Sequence, residues 1–103
     1  MALSARVAFD DVASLDAVLD ETMAALIVEP IQGMAGARDC SPEFPAAARR
    51  LCTDRGIALL FDEVQCGVGR SGAFTAAELY GVVPDGLTLA KGLGSGYPIG
   101  AVV

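Results

Sequence analysis

Apolar residues in this chain fall into short runs, separated by stretches of helical period and by glycine-bearing turns. Over residues 14–21, Leu15, Val18 and Leu19 lie at i, i+3 and i+4, one face of a short amphipathic helix with a cap near Asp11 or Ser14. Residues 24–28 form a continuous apolar run that stops at Glu29 and Pro30. A run this short, closed by proline, predicts a buried strand rather than a helix. A glycine-containing loop is expected over 32–36. Ser41 then stands as an N-cap before Pro42 at the first helical position, and the predicted helix runs to Arg55 with Gly56 as its stop.

Residues 57–61 predict a second buried strand, ending in Asp62 and Glu63, with a glycine-rich loop over 66–72. A short helix over 74–80 is stopped by Gly81, and Pro84, Asp85 and Gly86 make a turn. A third strand, 87–90, runs straight into Lys91; a loop over 92–96 leads to a fourth at 99–103. Helices and strands alternate without an internal repeat, and the strands are apolar on both faces. The pattern predicts one continuous α/β domain piece, a mostly parallel sheet with helices on both faces. In such sheets ligands collect beyond the carboxyl ends of the strands, where Glu29, Asp62 and Lys91 fall.

Composition narrows the picture. For 103 residues the chain is unusually apolar, 53% hydrophobic and 19% charged, which predicts surface buried against something outside it. Its longest apolar runs are far below the roughly 18 residues that cross a bilayer, and its start lacks the pattern of a secretory leader. The net charge of −6, from 13 acids against six arginines and a single lysine, argues against nucleic-acid or membrane partners. Cys40, Cys52 and Cys66 are an odd number without CxxC spacing, and there is no histidine. Neither a metal site nor a disulfide framework is expected, and the cysteines read as reduced thiols of a cytoplasmic protein. Without histidine, acid–base chemistry falls to Lys91, a carboxylate or Tyr97.

Three chemistries compete. Gly67-Val-Gly-Arg-Ser-Gly72 matches GxGxxG, but polar residues separate it from its strand, and no acid ends the following strand as a ribose contact requires. Leu59-Leu-Phe-Asp-Glu63 looks like the strand that holds magnesium in ATP-binding domains, yet the chain carries no GxxxxGK[ST] loop. Asp62 and Lys91 together suit pyridoxal 5′-phosphate: the cofactor needs a lysine to carry it as a Schiff base and an acid to keep its pyridine nitrogen protonated. Both end buried strands of one inferred sheet. Val64, on the same side as Asp62 if the chain stays extended, could press on the ring face, with Gln65 able to reach the ring hydroxyl.

The strings themselves go further. Val28-Glu-Pro-Ile-Gln-Gly33, Leu60-Phe-Asp-Glu-Val-Gln-Cys-Gly-Val-Gly-Arg-Ser-Gly72, Leu89-Ala-Lys-Gly-Leu-Gly94 and Tyr97-Pro-Ile-Gly-Ala101 resemble the class III aminotransferases, including the 29-position spacing from Asp62 to Lys91. This is the fold type I family of acetylornithine, ornithine and 4-aminobutyrate aminotransferases, and the resemblance covers nearly all of the chain. It implies that Lys91 is the Schiff-base lysine and the carrier of the migrating proton, Asp62 the partner of the pyridinium nitrogen, Val64 a ring contact and Gln65 a contact of the ring hydroxyl. It implies transfer of an amino group from acetylornithine, or a related ω-amino donor, to 2-oxoglutarate in arginine biosynthesis, by a cytoplasmic homodimer. Ornithine or 4-aminobutyrate donors, and a non-catalytic truncated remnant, are the alternatives. Many relatives have glutamate in the substrate pocket where this chain has Met34, which cannot pair with an arginine. Members of the family have roughly four times this length. The resemblance therefore places residues 1–103 in the centre of the large domain, without the upstream phosphate loop and the C-terminal small domain, and predicts that they are inactive alone.

Overall fold

The computed structural model describes residues 4–103; the start of the chain, where no leader pattern is expected, lies in part outside the described residues. In chain order the elements are α1 (Val12–Val18), β1 (Ala25–Val28), β2 (Ile31–Gln32), β3 (Arg38–Asp39), α2 (Glu43–Arg55), β4 (Ala58–Asp62), α3 (Ala76–Tyr80), β5 (Gly86–Leu89), a 3₁₀ turn (Lys91–Gly94) and β6 (Ala101–Val102). Asp11 caps α1, its carboxylate accepting the Ser14 N–H at 3.0 Å. The helix consequently starts before the predicted residue 14 and ends at Val18. Ser41 does not cap α2. Its N–H and hydroxyl both bind Asp10, at 2.9 and 2.7 Å, tying the helix start to the preceding segment. Gly56 and Gly81 stop α2 and α3 as expected, at φ 67° and 64°, the left-handed conformation that costs glycine least.

The sheet has the order β1-β4-β5-β6. β1, β4 and β5 are parallel, with Val28 beside Phe61 and Asp62 beside Thr88. The last strand is antiparallel to β5, pairing Leu89 with Ala101. The connection from Leu89 to Ala101 holds only a 3₁₀ turn, too little for the helical crossover that parallel pairing requires. Part of the loop expected at 32–36 is a hairpin, with Ile31 opposite Asp39 and Gln32 opposite Arg38.

Alternation along the strands decides which face is buried. Leu26, Val28, Leu59 and Phe61 share one face and join Leu15 of α1, Phe44, Ala48, Leu51 and Cys52 of α2 and Ala77 of α3 in a single core cluster. The opposite face carries Ile27, 68% exposed, and Val102, 79% exposed. The described helices thus complete only one of the two layers that the strand pattern predicts.

Candidate active site

β4 ends at Asp62. Its Oδ1 accepts two hydrogen bonds, from the Val64 N–H at 3.1 Å and from the Thr88 hydroxyl at 3.0 Å. Its Oδ2 accepts none among the described residues. The chain leaves the extended conformation at Val64, because the Asp62 side chain closes a turn on the backbone two residues ahead. The extended path on which Val64 was expected to share the side of Asp62 is therefore not kept. Val64 and Gln65 are half-buried in this turn.

The neighbouring acid does something else. Glu63 is fully buried, and its carboxylate accepts the N–H groups of Ala76 and Ala77 at 2.7 and 2.9 Å, satisfying the first donors of α3. Its carbonyl accepts the Gly67 N–H at 2.9 Å. With both oxygens committed to the backbone, Glu63 is not placed to hold magnesium as the ATP-binding reading requires. Glu29, at the end of β1, accepts the Gly33 N–H and so serves the hairpin.

That hairpin leans on the Asp62 turn. A Cβ on Gly33 would lie 3.0 Å from Cβ of Gln65, so any side chain there would have to push the two segments apart by a few tenths of an ångström. Cys66 is buried beneath them, and burial pushes its thiol up to about 11. Met34 occupies the hairpin tip, 87% exposed, and is not among the residues lining the recess beside Lys91.

Lys91 follows β5 directly and opens the 3₁₀ turn with φ at 44°, a left-handed conformation uncommon outside glycine. It borders an open recess with Ala90, Gly96, Tyr97, Pro98, Ile99 and Gly100. The parallel register sets Thr88 beside Asp62, so Lys91 lies just past the same end of the sheet. Tyr97, the other candidate for acid–base work, also lines the recess and is 74% exposed.

A carboxylate with one unengaged oxygen and an amine thus stand at the carboxyl ends of adjacent strands. The sequence model of the aminotransferase class-III family matches residues 2–103. The chain belongs to the class-III aminotransferases. Among curated relatives of this class-III chain, the acetylornithine aminotransferase of Methanocaldococcus jannaschii is 50% identical over 97 residues, which are 94% of this chain and 24% of the relative. That of Neisseria meningitidis is 48% identical over 98 residues, 95% of this chain and 25% of its own. Among solved structures, Plasmodium falciparum ornithine delta-aminotransferase superposes with a TM-score of 0.92 at 39% identity, covering 96% of this chain and 26% of that one. N-acetylornithine aminotransferase from Stenotrophomonas maltophilia gives 0.88 at 41%, covering 93% and 27%. The chain spans about a quarter of the length of the curated relatives it matches.

Enzymes of this class depend on pyridoxal 5′-phosphate. The donor set at the β4 and β5 ends fits that group: Lys91 has an amine for its aldehyde carbon, and Asp62 an oxygen for a protonated ring nitrogen.

Proposed function

We propose that residues 1–103 are the central part of the cofactor-binding large domain of an acetylornithine-type aminotransferase. The reaction moves an amino group from acetylornithine, or a related ω-amino donor, to 2-oxoglutarate. The observation that carries this is the tethered Asp62 carboxylate on the strand next to the one that ends at Lys91. The names of the similar relatives favour acetylornithine as donor.

Bound pyridoxal phosphate supplies an electron sink that stabilises negative charge at the carbon bearing the amino group. Lys91 Nζ would hold the cofactor and, once released as a neutral amine, would move the proton between the amino-bearing carbon of the substrate and C4′ of the cofactor. Asp62 Oδ2 would hold the proton on the ring nitrogen; Val64 and Gln65, carried by the turn that follows, would contact the ring face and the ring hydroxyl as the family resemblance implies. Met34, exposed at the hairpin tip, cannot pair with an arginine as the glutamate of many relatives does. A cytoplasmic homodimer is consistent with three free thiols and with the exposed Leu93, Tyr97 and Ile99 around Lys91.

The test uses the full-length protein loaded with pyridoxal phosphate, reduced with borohydride and digested. Mass spectrometry is expected to find the cofactor fixed to the Lys91 peptide, and Lys91→Ala to lose both the adduct and the near-visible absorbance. An adduct elsewhere would sink the assignment. Comparing kcat/KM for acetylornithine, ornithine and 4-aminobutyrate settles the donor.

A further inference from the structure

Val68 stands at φ 57°. A β-branched side chain in the left-handed region is an outlier that persists only where its surroundings hold it. Here both neighbours are clamped: the Gly67 N–H donates to the Glu63 carbonyl at 2.9 Å, and the Gly69 N–H to the Phe74 carbonyl at 3.2 Å. The side chain this conformation presents lies against Gly92, the residue after Lys91. A Cβ built on Gly92 would be 3.3 Å from Val68 Cβ and 3.7 Å from its Cγ1. The φ of Gly92 lies outside the left-handed region, so the obstacle to alanine there is Val68, which would have to give by a few tenths of an ångström. Lys91, between the end of β5 and this contact, is itself left-handed at φ 44°.

We infer that Val68 is a positioning residue for Lys91: its strained backbone holds its side chain against Gly92 and so sets the direction in which the lysine leaves the sheet. The inference rests on the reading of Lys91 as the cofactor-bearing lysine. Val68 touches neither cofactor nor substrate in this scheme; it acts only by denying Gly92, and with it the Lys91 backbone, an alternative path.

The experiment compares Val68→Gly, Gly92→Ala and the double variant in the full-length protein. Three quantities are read: kcat and KM, the pH midpoint of the near-visible absorbance of the loaded enzyme, and the rate at which an amine-reactive reagent labels Lys91 in the cofactor-free protein. A misplacement of ~1 Å costs about 100-fold in rate, so shifts of a few tenths of an ångström are expected to lower kcat about three- to tenfold. Each single variant should show that loss with KM changed less than about twofold, and should move both the absorbance midpoint and the labelling rate. The double variant should recover to about the level of Val68→Gly alone, because the added methyl group then has room. Losses that simply multiply would overturn the inference, as would a Val68→Gly protein with unaltered labelling and absorbance. Should Gly92→Ala fail to fold, Val68→Gly decides by those two readouts. Absence of a Lys91 adduct in the borohydride-reduced wild type overturns the reading of Lys91 and the inference with it; an adduct without rescue overturns the inference alone.

Discussion

Thr88 donates its hydroxyl to Asp62 Oδ1 at 3.0 Å across the register pair that joins β4 to β5. The bond fixes one carboxylate oxygen from the neighbouring strand while the Val64 N–H fixes it from the turn. What remains of the carboxylate is Oδ2, aimed by two bonds from different directions. A side chain that must hold a ring nitrogen benefits from being oriented before the ring arrives.

Thr88→Val keeps the shape and removes the donor. A hydrogen bond to a charged group contributes about 1.5–3 kcal/mol, and only part of that bears on ligand binding, so cofactor affinity is expected to fall about tenfold. Absorbance titration with pyridoxal phosphate measures it, and Thr88→Ser should retain most of the affinity. Equal affinity in wild type and Thr88→Val would mean that Asp62 needs no tether.

Gly33→Ala introduces a methyl group 3.0 Å from Gln65 Cβ. Overpacking of this kind costs about 1–3 kcal/mol, and relief requires Gln65 to move. The unfolding midpoint in urea should fall, and the spectrum of the bound cofactor should shift. Adding Gln65→Gly, which removes that Cβ, should relieve the overlap without restoring the spectrum. A Gly33→Ala protein as stable as wild type would show that the hairpin yields instead.

Glu63→Ala leaves the N–H groups of Ala76 and Ala77 unpaired in a buried place. Each lost partner costs about 1–3 kcal/mol, so for the two the unfolding free energy should drop by about 2–6 kcal/mol. Glu63→Gln, which can still accept one of the two bonds well, should lose less. Hydrogen exchange at Ala76 and Ala77 would localise the effect, and unchanged protection there would contradict it.

Asp85 sits below the ordinary carboxylate range because it accepts the Leu59 N–H at 2.7 Å and, secondly, binds Arg49 at 2.8 Å. A depressed folded value means stabilisation present in full above the unfolded value near 3.9 and lost as pH falls through the folded one. The wild-type melting temperature should therefore fall more steeply than that of Asp85→Asn as pH drops below about 4. Parallel curves would remove Asp85 from the acid response.

Cys66 presents the opposite sign. Burial pushes its thiol up to about 11, so near neutral pH it stays protonated and covered. Iodoacetamide at about pH 8, close to the ordinary thiol value, should leave the Cys66 peptide unmodified in the folded protein and alkylate it in denaturant. Rapid alkylation of the native protein would refute the buried placement.

Much of the fold is written in local terms, because helix and strand periods and left-handed stops are properties of a few adjacent residues. Leu15, Val18 and Leu19 mark one helix, Gly56 and Gly81 end two others, and the short apolar runs before Asp62 and Lys91 are strands wherever they are placed. The order of elements and the strand-end position of both candidate residues follow from the sequence by itself. The residues' roles do not. Asp62 and Glu63 are the same chemistry one position apart, and only the packing of α3 turns one inward as a cap and leaves the other an open oxygen. The hairpin at Ile31 and Arg38, the antiparallel β6 and the contact of Val68 with Gly92 join short segments that carry no periodic signal, or residues far apart in the chain. Tertiary contacts decided these, because the energies that select them come from neighbours the local sequence does not contain.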